Sequence, residues 1–468
     1  MGLILAGGLL SGCNLAPKYV RPQAAVPVKL SVAGEHLVAT TDAPDISRIG
    51  WRDFFVDPRL RTVIETGLAN NQDLVLAVAN VQQARAQLRA RRADMFPTVS
   101  GNGAGTYTNT ASFAASNGGA IAGSVADIQY FSGNVGVSSF ELDLFGRLQN
   151  LSKAAQEQYL ATEEAQKAAR VSLIGEVASA WLTLASDREQ LKISQSVMDA
   201  YQQTLELTSA QFRIGIVSEL EMRQAETNYQ SARNDIAVLK TQIAQDINAL
   251  ELLTGVTLPI ELLPEGLGEQ EYTIGTLPGE LNSKILLRRP DVLQAEHQLI
   301  AQNANIGAAR AAFFPQISLT ATVGTISSAL GKLLGTGTGT YTVSPTLSVP
   351  LFDFGKNQGN LEYAKAARIG AIATYQKTIQ IAFREVSDAL AQRGTMNEQM
   401  SAQTARVNSA KVAAELAGAR FRAGADSILV ALDAQRSAYA AQQQLVTTKF
   451  NRTTNLVTLY QVLGGGLE

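Results

Sequence analysis

An internal repeat constrains this chain more than any other feature of its sequence. The Phe-Pro pair that ends at Pro97 recurs at Pro315, and the Phe-Arg-x-Gly motif that ends at Gly215 recurs at Gly424. These spacings define two copies of one unit of about 210 residues. The first copy is slightly longer, and we expect its extra residues in the Gly-, Ala- and Ser-rich run from Ala111 to Ala126, a surface loop.

Composition excludes several classes of function. The 468 residues carry a net charge of −2, so no basic field is available to bind nucleic acid. Charged residues make up 17% of the chain, below the roughly 25% of soluble domains. After the N-terminus there is no run of about 18 consecutive apolar residues, so the sequence predicts no membrane-spanning helix. Barrel strands, whose sequence signal is much weaker, are another route into a membrane.

Two strands are predicted in each copy. In the second copy, apolar and small polar residues alternate with period two from Ile317 to Val323 and from Thr340 to Leu351. This pattern is typical of strands with water on one side and lipid or core on the other. A soluble β-sandwich is the alternative, but four strands make a poor one. Four are also too few to close a membrane barrel. Since open edges are not tolerated in lipid, several chains would share one barrel.

The helices predicted after the strands are unusually long. Arg147–Gln211 contains no proline and one glycine, and as a single helix it would reach roughly 95 Å. Lys356–Arg420 is its counterpart in the second copy. Such lengths imply coiled-coil packing. Shorter helices are predicted for Ser218–Gly255 and Pro290–Phe313.

The N-terminus resembles a lipoprotein signal. A short apolar stretch leads into Leu10-Ser11-Gly12-Cys13, and small residues before a lone cysteine resemble a bacterial lipobox. That resemblance implies that Cys13 becomes the acylated first residue of the mature chain. The alternative is that Cys13 is an ordinary small apolar residue. As the only cysteine, it forms no disulfide within the chain.

Several motifs, taken in order along the chain, carry a family resemblance. They are Cys13 with the segment from Pro17 to Pro22, Trp51 to Phe55, the two Phe-Pro pairs, Glu141 to Arg147, Leu287 to Asp291, Leu432 to Ser437, and Leu463 to Gly466. Together they resemble the TolC superfamily of outer-membrane factors. Within it, the chain is most similar to the OprM-like, NodT-type lipoprotein channels of RND multidrug efflux systems.

The resemblance implies an α+β membrane protein that forms a homotrimer. Four strands per chain would build a twelve-stranded β-barrel in the outer membrane, continued by a twelve-helix coiled-coil α-barrel in the periplasm. The chain would be lipid-anchored through Cys13 and would conduct drugs and other small molecules passively to the outside. The implied partners are a periplasmic adaptor, or membrane fusion protein, and a proton-driven RND pump of the inner membrane. A TolC-type duct for type I protein secretion and a non-conducting coiled-coil structural lipoprotein are the alternatives.

The landmarks predict the boundaries of the segments. They are residues 1–12, a signal-peptide remnant; 13–56, an acylated extended segment and equatorial region; 57–95, the short helices of the first repeat; 96–146, its β-hairpin; 147–256, its helical hairpin; 257–287, a linker and equatorial region; 288–312, the short helix of the second repeat; 313–355, its β-hairpin; and 356–468, its helical hairpin with a C-terminal equatorial end.

No enzymatic site is predicted. The two histidines, His36 and His297, lie in separate regions, and there is one cysteine. The sequence has no phosphate-binding loop, dinucleotide fingerprint or zinc-ligand spacing. We therefore expect no catalytic residue, no metal site and no cofactor.

The turns within the two helical hairpins, here called the tips, repeat one pattern. Each has an arginine in the last helical turn, a glycine suited to positive φ and a serine suited to begin the next helix. These residues are Arg213, Gly215 and Ser218 in the first tip, and Arg422, Gly424 and Ser427 in the second. Ser218 and Glu221 fit a capping box. The resemblance implies, in addition, that adaptor proteins dock on the tips and that the tips close the tunnel; both interpretations can hold at once.

The second tip is followed by a candidate aperture. Asp426, Leu429 and Asp433 are spaced i, i+3 and i+7, which predicts that they share one helical face. By resemblance this face lines the periplasmic aperture, where Leu429 and Asp433 would form stacked rings in a trimer. The alternative is a surface Asp433 that pairs with Arg436.

A second expectation concerns what holds the aperture closed. Three carboxylates on a narrow axis repel one another, so closure needs other contacts. Glu221 is expected to pair with Arg420 or Arg422 across the hairpins.

Overall fold

The computed structural model describes residues 14–23, 26–27, 49–109, 127–268, 272–273 and 283–465. Cys13, with the predicted leader before it, lies outside the described residues, as does the loop predicted from Ala111 to Ala126. The described part forms two compact units. The strand unit comprises the N-terminal residues through Pro22, Val81–Thr162 and Ala295–Tyr375, and the hairpin unit comprises the remainder.

Helices account for most of the described residues. They are α1 (Trp51–Phe54), α2 (Pro58–Asn70), α3 (Gln72–Ala93), α4 (Arg147–Arg213), α5 (Glu219–Thr254), α6 (Pro290–Ala311), α7 (Lys356–Arg422) and α8 (Ile428–Val462). Short 3-10 helices cover Ile260–Leu262, Ser283–Arg288 and Leu330–Lys332. Each half of the chain has one helix of 67 residues, α4 and α7, close to the predicted extents.

One part of α4 bears on the membrane question. Of the helices that the structure describes, only α4 contains an 18-residue stretch apolar enough to cross a membrane, with a mean hydropathy of 1.2. The sequence predicted no such helix. Since 56% of that stretch is buried within the protein, it is equally typical of a core helix.

Four strands form one antiparallel sheet in the strand unit. They are β1 (Val99–Asn109), β2 (Asp127–Leu142), β3 (Gln316–Ser327) and β4 (Gly339–Ser348), in the order β1-β2-β3-β4. The sheet thus joins the hairpin of the first half to the hairpin of the second through β2 and β3. The outer edges of β1 and β4 pair with no strand among the described residues.

The register of the sheet aligns like side chains across all four strands, because directly opposite residues lie on the same face. The apolar side chains of one face, the apolar face, are Val99, Tyr107, Phe131, Val135, Val137, Phe140, Leu142, Ile317, Leu319, Ala321, Val323, Tyr341, Val343 and Leu347. The other face, the polar face, carries Ser100, Asn102, Ala104, Thr106, Thr108, Ile128, Tyr130, Ser132, Asn134, Gly136, Glu141, Ser318, Thr320, Thr322, Gly324, Ile326, Thr340, Thr342, Ser344, Thr346 and Ser348.

A β-bulge in β2 preserves this separation. The register shifts between Val137 and Phe140, and Ser139 adopts a positive φ of 53°. The Ser139 amide donates a hydrogen bond to Thr320 Oγ1 at 3.2 Å. One extra residue reverses the facing of all that follow it, so Phe140 returns to the apolar face and Glu141 to the polar face. This explains why the alternation in the first half is less regular than in the second.

Two glycines on the polar face let β2 and β3 approach closely. A Cβ on Gly136 would lie 2.2 Å from the Ala321 carbonyl oxygen, and one on Gly324 would lie 2.2 Å from the Gly133 carbonyl oxygen. Only a hydrogen fits at these positions. Glycine kinks and bulges are the means by which sheets acquire curvature, and both devices act here on the same pair of strands.

The N-terminal residues form a strap along α6 in the strand unit. Arg21 donates two hydrogen bonds to the Glu296 carboxylate, at 2.6 and 2.7 Å, and the Tyr19 hydroxyl donates a third at 3.0 Å. Asn303 Nδ2 donates to the Pro17 carbonyl at 2.7 Å. Because Glu296 and Asn303 are buried, these polar groups depend on the strap for their partners.

In the hairpin unit, Arg289 joins three elements. Its guanidinium donates to the Val462 carbonyl at the end of α8 at 2.7 Å, to Glu385 of α7 at 2.9 Å and to Asp291 of α6 at 2.8 Å. Only 10% of the Arg289 side chain is exposed. A buried charge must be paired, so the arginine of the Leu287-to-Asp291 motif has a structural role here.

Replacing Gly324 by Ala is expected to destabilise the sheet. The added Cβ forces the backbones of β2 and β3 apart, and overpacking of this kind costs about 1–3 kcal/mol. Gly339→Ala is the matched control, because a Cβ there meets nothing within 4 Å. Thermal unfolding followed by circular dichroism should show a lower midpoint for Gly324→Ala only. Equal midpoints for both variants would contradict a close approach at Gly324.

Candidate functional site

Both tips lie in the hairpin unit and are closed by the same backbone motif. Gly215 and Gly424 have φ values of 79° and 73°. In the first tip, the Gly215 amide donates to the Phe212 carbonyl and the Ile216 amide to the Gln211 carbonyl, both at 2.9 Å. The second tip repeats this pair of bonds one for one. This is the Schellman arrangement, and the predicted role of the two glycines is confirmed.

The start of the next helix differs between the tips. Ser218 begins α5 with the predicted capping box, in which the Glu221 side chain reciprocates. Ser427 begins α8, and its Oγ accepts from the Leu429 amide at 3.2 Å. The position that corresponds to Glu221 is Val430. The second tip therefore has a serine cap without its own carboxylate.

Glu221 supplies that carboxylate to both tips. Its Oε2 accepts from the Ser218 amide at 2.8 Å and from Ser218 Oγ at 3.0 Å, while its Oε1 accepts from Ser427 Oγ at 3.3 Å. The Ser218 amide, followed by the two hydroxyls, holds the pKa of Glu221 below its usual value. One ionised side chain thus joins the first tip to the second.

The expected pairing of Glu221 with an arginine is wrong for this conformation. Arg420 instead pairs with Asp426, with Nε–Oδ2 and Nη2–Oδ1 distances of 2.5 and 3.0 Å. Arg422 forms no ion pair with any residue that the structure describes. The reason is local: Asp426 closes the loop that directly follows α7, so Arg420 finds a carboxylate six residues away, and Glu221 is already occupied by the serines.

The predicted aperture face also needs a correction. Asp426 precedes Ser427, the N-cap of α8, so it lies in the loop and not on the helical face. Leu429 and Asp433 do lie one turn apart on α8. With Gln224, Thr227 and Asn228 of α5, and Leu432 and Arg436 of α8, they line a cavity of about 340 Å³.

Asp433 also makes the alternative contact that the sequence allowed. Its Oδ1 lies 2.6 Å from Arg436 Nη2, and the two side chains are 66% and 69% exposed. Exposed ion pairs contribute little to stability. Because the Asp433 side chain is mostly exposed, its carboxylate remains accessible from the cavity even though it is paired.

Each part of the tips, the buried core and the exposed surface around it, contains apolar side chains. Ala225, Ile428 and Leu432 form a buried cluster that Leu205 and Phe421 extend. Other apolar side chains remain exposed around it, and they are Ile214, Ile216, Leu220 and Val430. Exposed apolar residues that surround a structured turn are typical of a surface that contacts another protein.

Two polar contacts farther along the hairpins had no local sequence signal. Tyr439 of α8 shares a hydrogen bond with Ser194 of α4 at 2.8 Å and donates to Asp235 of α5 at 3.0 Å. Burial, together with the charge of Asp187 on α4, raises the pKa of Asp246 on α5 to about 6. Each contact joins residues from different helices, so only the assembled structure brings them together.

Comparison with known proteins gives consistent matches along the chain. The profile of the family described as outer membrane efflux protein matches residues 63–256 and 281–465. The chain is 40% identical over 464 residues to the solvent efflux pump outer membrane protein SrpC of Pseudomonas putida, covering 98% of this chain and 96% of that protein. It is 40% identical over 459 residues to the cation efflux system protein CusC of Escherichia coli K12, covering 98% and 97%.

A solved structure shows the same fold. The open state of the MtrE outer membrane channel of Neisseria gonorrhoeae matches this structure with a TM-score of 0.84 at 34% identity. The match covers 97% of this chain and 99% of that one.

Glu221→Ala is expected to loosen both tips. The loss of a hydrogen bond costs about 0.5–1.5 kcal/mol, so amide hydrogen exchange should accelerate by about threefold or more across the turns before α5 and α8. Because its pKa is lowered, the Glu221 contacts persist as the pH falls to the usual range for glutamate, and protection is lost only below it. Hydrogen–deuterium exchange mass spectrometry measures both effects.

Glu219→Ala provides the control, since Glu219 lies in the same helical turn but, among the residues that the structure describes, forms an ion pair only with Arg223, at 3.4 Å. It should leave the second tip unchanged. If Glu221→Ala accelerates exchange in the first tip alone, Glu221 does not join the tips.

Proposed function

The chain belongs to the outer membrane efflux protein family, and from this we propose that it is the outer-membrane exit channel of a tripartite RND-type efflux pump, conducting small molecules passively from the periplasm to the outside. The match to SrpC and CusC along 98% of the chain is the observation that carries the proposal. Both relatives are named for efflux, which favours efflux over type I protein secretion or a purely structural lipoprotein. The relatives are channel components, not enzymes.

The sheet supports a barrel shared between copies. One face is apolar along all four strands, the other is polar, and the outer edges of β1 and β4 are unpaired among the described residues. In a membrane every backbone polar group needs a partner. Three copies, with β4 of one paired to β1 of the next, give a closed barrel of twelve strands with its apolar face toward lipid. The family resemblance supports the number three and a twelve-helix periplasmic α-barrel that continues the strands.

The tips supply the periplasmic end of the channel. In a trimer, Leu429 and Asp433 form two rings at the aperture, and their counterparts in the first hairpin are Leu220 and Gln224. Glu221, through the two serine caps, holds adjacent tips together. The exposed tip residues, including Arg213 and Arg422 with the turns at Gly215 and Gly424, form the docking surface for a periplasmic adaptor. The adaptor in turn connects the channel to an inner-membrane, proton-driven pump.

Cys13 is the proposed lipid anchor in the outer membrane. The strap that begins at Asn14 is held on α4 and α6, where Asn150 Nδ2 donates to Asn14 Oδ1 at 3.0 Å and Arg310 donates to the Leu15 carbonyl at 3.0 Å. Metabolic labelling with palmitate should tag the wild type and not Cys13→Ala. Both proteins should still reach the outer membrane, because the barrel inserts independently. An unlabelled wild type rules out acylation.

The channel and its aperture are tested by recording from purified protein in planar bilayers. Particles of three chains, sized by mass measurement in detergent, should conduct ions. Asp433→Ala should reduce cation selectivity several-fold and weaken block by multivalent cations, because it removes three carboxylates from a narrow section. Glu221→Ala should raise conductance.

Asp388→Ala is the control for charge, since Asp388 is 76% exposed on α7 and pairs only weakly, at 3.9 Å, with Arg384. It should leave selectivity and block unchanged. Non-conducting particles would refute the channel. Conducting particles in which Asp433→Ala changes neither property would refute only the ring and leave Asp433 as a surface residue.

A further inference from the structure

The polar face of the sheet has an unusual chemical uniformity. Most of its side chains are Ser or Thr, and β4 shows the pattern in its simplest form, with hydroxyls at Thr340, Thr342, Ser344, Thr346 and Ser348. All five are exposed. The remaining members are mainly Asn, Gly and Ala, with Ile128, Ile326 and Tyr130 near the end of the sheet away from α4.

Charge is nearly absent from this face. Among the residues that the structure describes in the four strands, the only charged ones are Asp127 at the start of β2 and Glu141 near its end. Asp127 lies opposite Asn109 and in register with the apolar face. Glu141 alone lies on the polar face, and Arg147 neutralises it with two hydrogen bonds, the longer of which is 2.8 Å.

The tips are chemically different. The cavity beside Leu429 contains the Asp433 carboxylate and the Arg436 guanidinium, both more than half exposed. Arg420 with Asp426 and Glu221 add fixed charges within the same two turns. Fixed charge is therefore present at the helical tips, as it is along the helices, but nearly absent from the strands.

A hydroxyl-lined surface treats cations and anions alike. A Ser or Thr hydroxyl donates one hydrogen bond and accepts others, so it can replace hydration water around a solute of either sign. Selection by charge in a pore requires fixed charges or oriented dipoles on its wall. Freely rotating hydroxyls provide neither.

Resting on the proposed function, we propose that the strand section of the channel is an electrically neutral, hydroxyl-lined conduit for small solutes of either charge, so that any selection for charge takes place in the helical section. The two close-approach glycines, Gly136 and Gly324, lie on this same face, as expected if the sheet curves around it. The apolar face then meets lipid, and the polar face lines the water-filled interior.

The test compares rates of thiol modification at neighbouring residues of β4. Ser344→Cys and Thr342→Cys place a thiol on the polar face, Val343→Cys places one on the apolar face between them, and Gln224→Cys places one in the cavity beside Asp433. Each full-length variant is reconstituted in liposomes and treated with a cationic or an anionic water-soluble methanethiosulfonate. Rates are normalised to those of a free thiol, and the wild type treated in the same way gives the background.

We expect Ser344→Cys and Thr342→Cys to react with both reagents, with normalised rates that agree within about threefold. Gln224→Cys should favour the cationic reagent by about tenfold, the ratio for a local potential worth 1.4 kcal/mol. Val343→Cys should react with neither. Of the two polar-face substitutions, Ser344→Cys should disturb the strand less, because cysteine has nearly the same shape as serine.

The outcomes separate the two proposals. A tenfold preference for one reagent at both polar-face sites overturns the neutral conduit while leaving the channel intact. Lack of reaction at both polar-face sites also overturns the conduit. Reaction at Val343→Cys as fast as at Ser344→Cys overturns the assignment of faces, and with it the barrel on which the conduit depends.

Discussion

Backbone hydrogen bonding at the edges of a four-stranded sheet is the constraint on which the rest of the protein depends. β1 and β4 each present one edge that no described strand pairs, and lipid offers no substitute for the missing partner. The proposed closure between copies would satisfy both edges at once. The bulge at Ser139 and the glycines at positions 136 and 324 serve the same end, because they let a sheet with one apolar face bend around its polar face.

The two hairpins use similar backbones for different chemistry. Both tips end in the same glycine turn and restart at a serine, yet only the first provides a carboxylate at the third helical position. Glu221 compensates for this difference, because Ser427 of the second tip donates a hydrogen bond to the Glu221 carboxylate of the first. The second tip is instead followed by Leu429 and Asp433. The two hairpins therefore differ in role. The first supplies the contact between the tips through Glu221, and the second supplies the charge at the cavity through Asp433.

Sequence reasoning succeeded where the signal was local. The helix ends at Gly215 and Gly424 and the capping box at Ser218 depend on residues within one turn, and the structure contains them. Sequence reasoning failed where one extra residue reversed the alternation of faces along a strand, as in the β2 bulge. It also failed where a residue expected in a helix lies in the preceding loop, as Asp426 does. Contacts between helices, such as that of Tyr439 with Ser194 and Asp235, leave no periodic trace in a single sequence. The expected pairing of Glu221 with an arginine fails for a local reason, because Arg420 pairs with Asp426 in the loop that follows its own helix.

The central pairing of β2 with β3 has a consequence for how the chain folds. The Ser139–Thr320 contact joins residues 181 positions apart in sequence, whereas β1–β2 and β3–β4 are hairpins of near neighbours. Distant pairing is slow, because the entropy of loop closure is lost before any contact compensates for it. Helices form in microseconds, so the slow step is the pairing of two β-hairpins whose edges are exposed until they meet. The chain is therefore most prone to aggregation between the formation of the hairpins and the pairing of their edges.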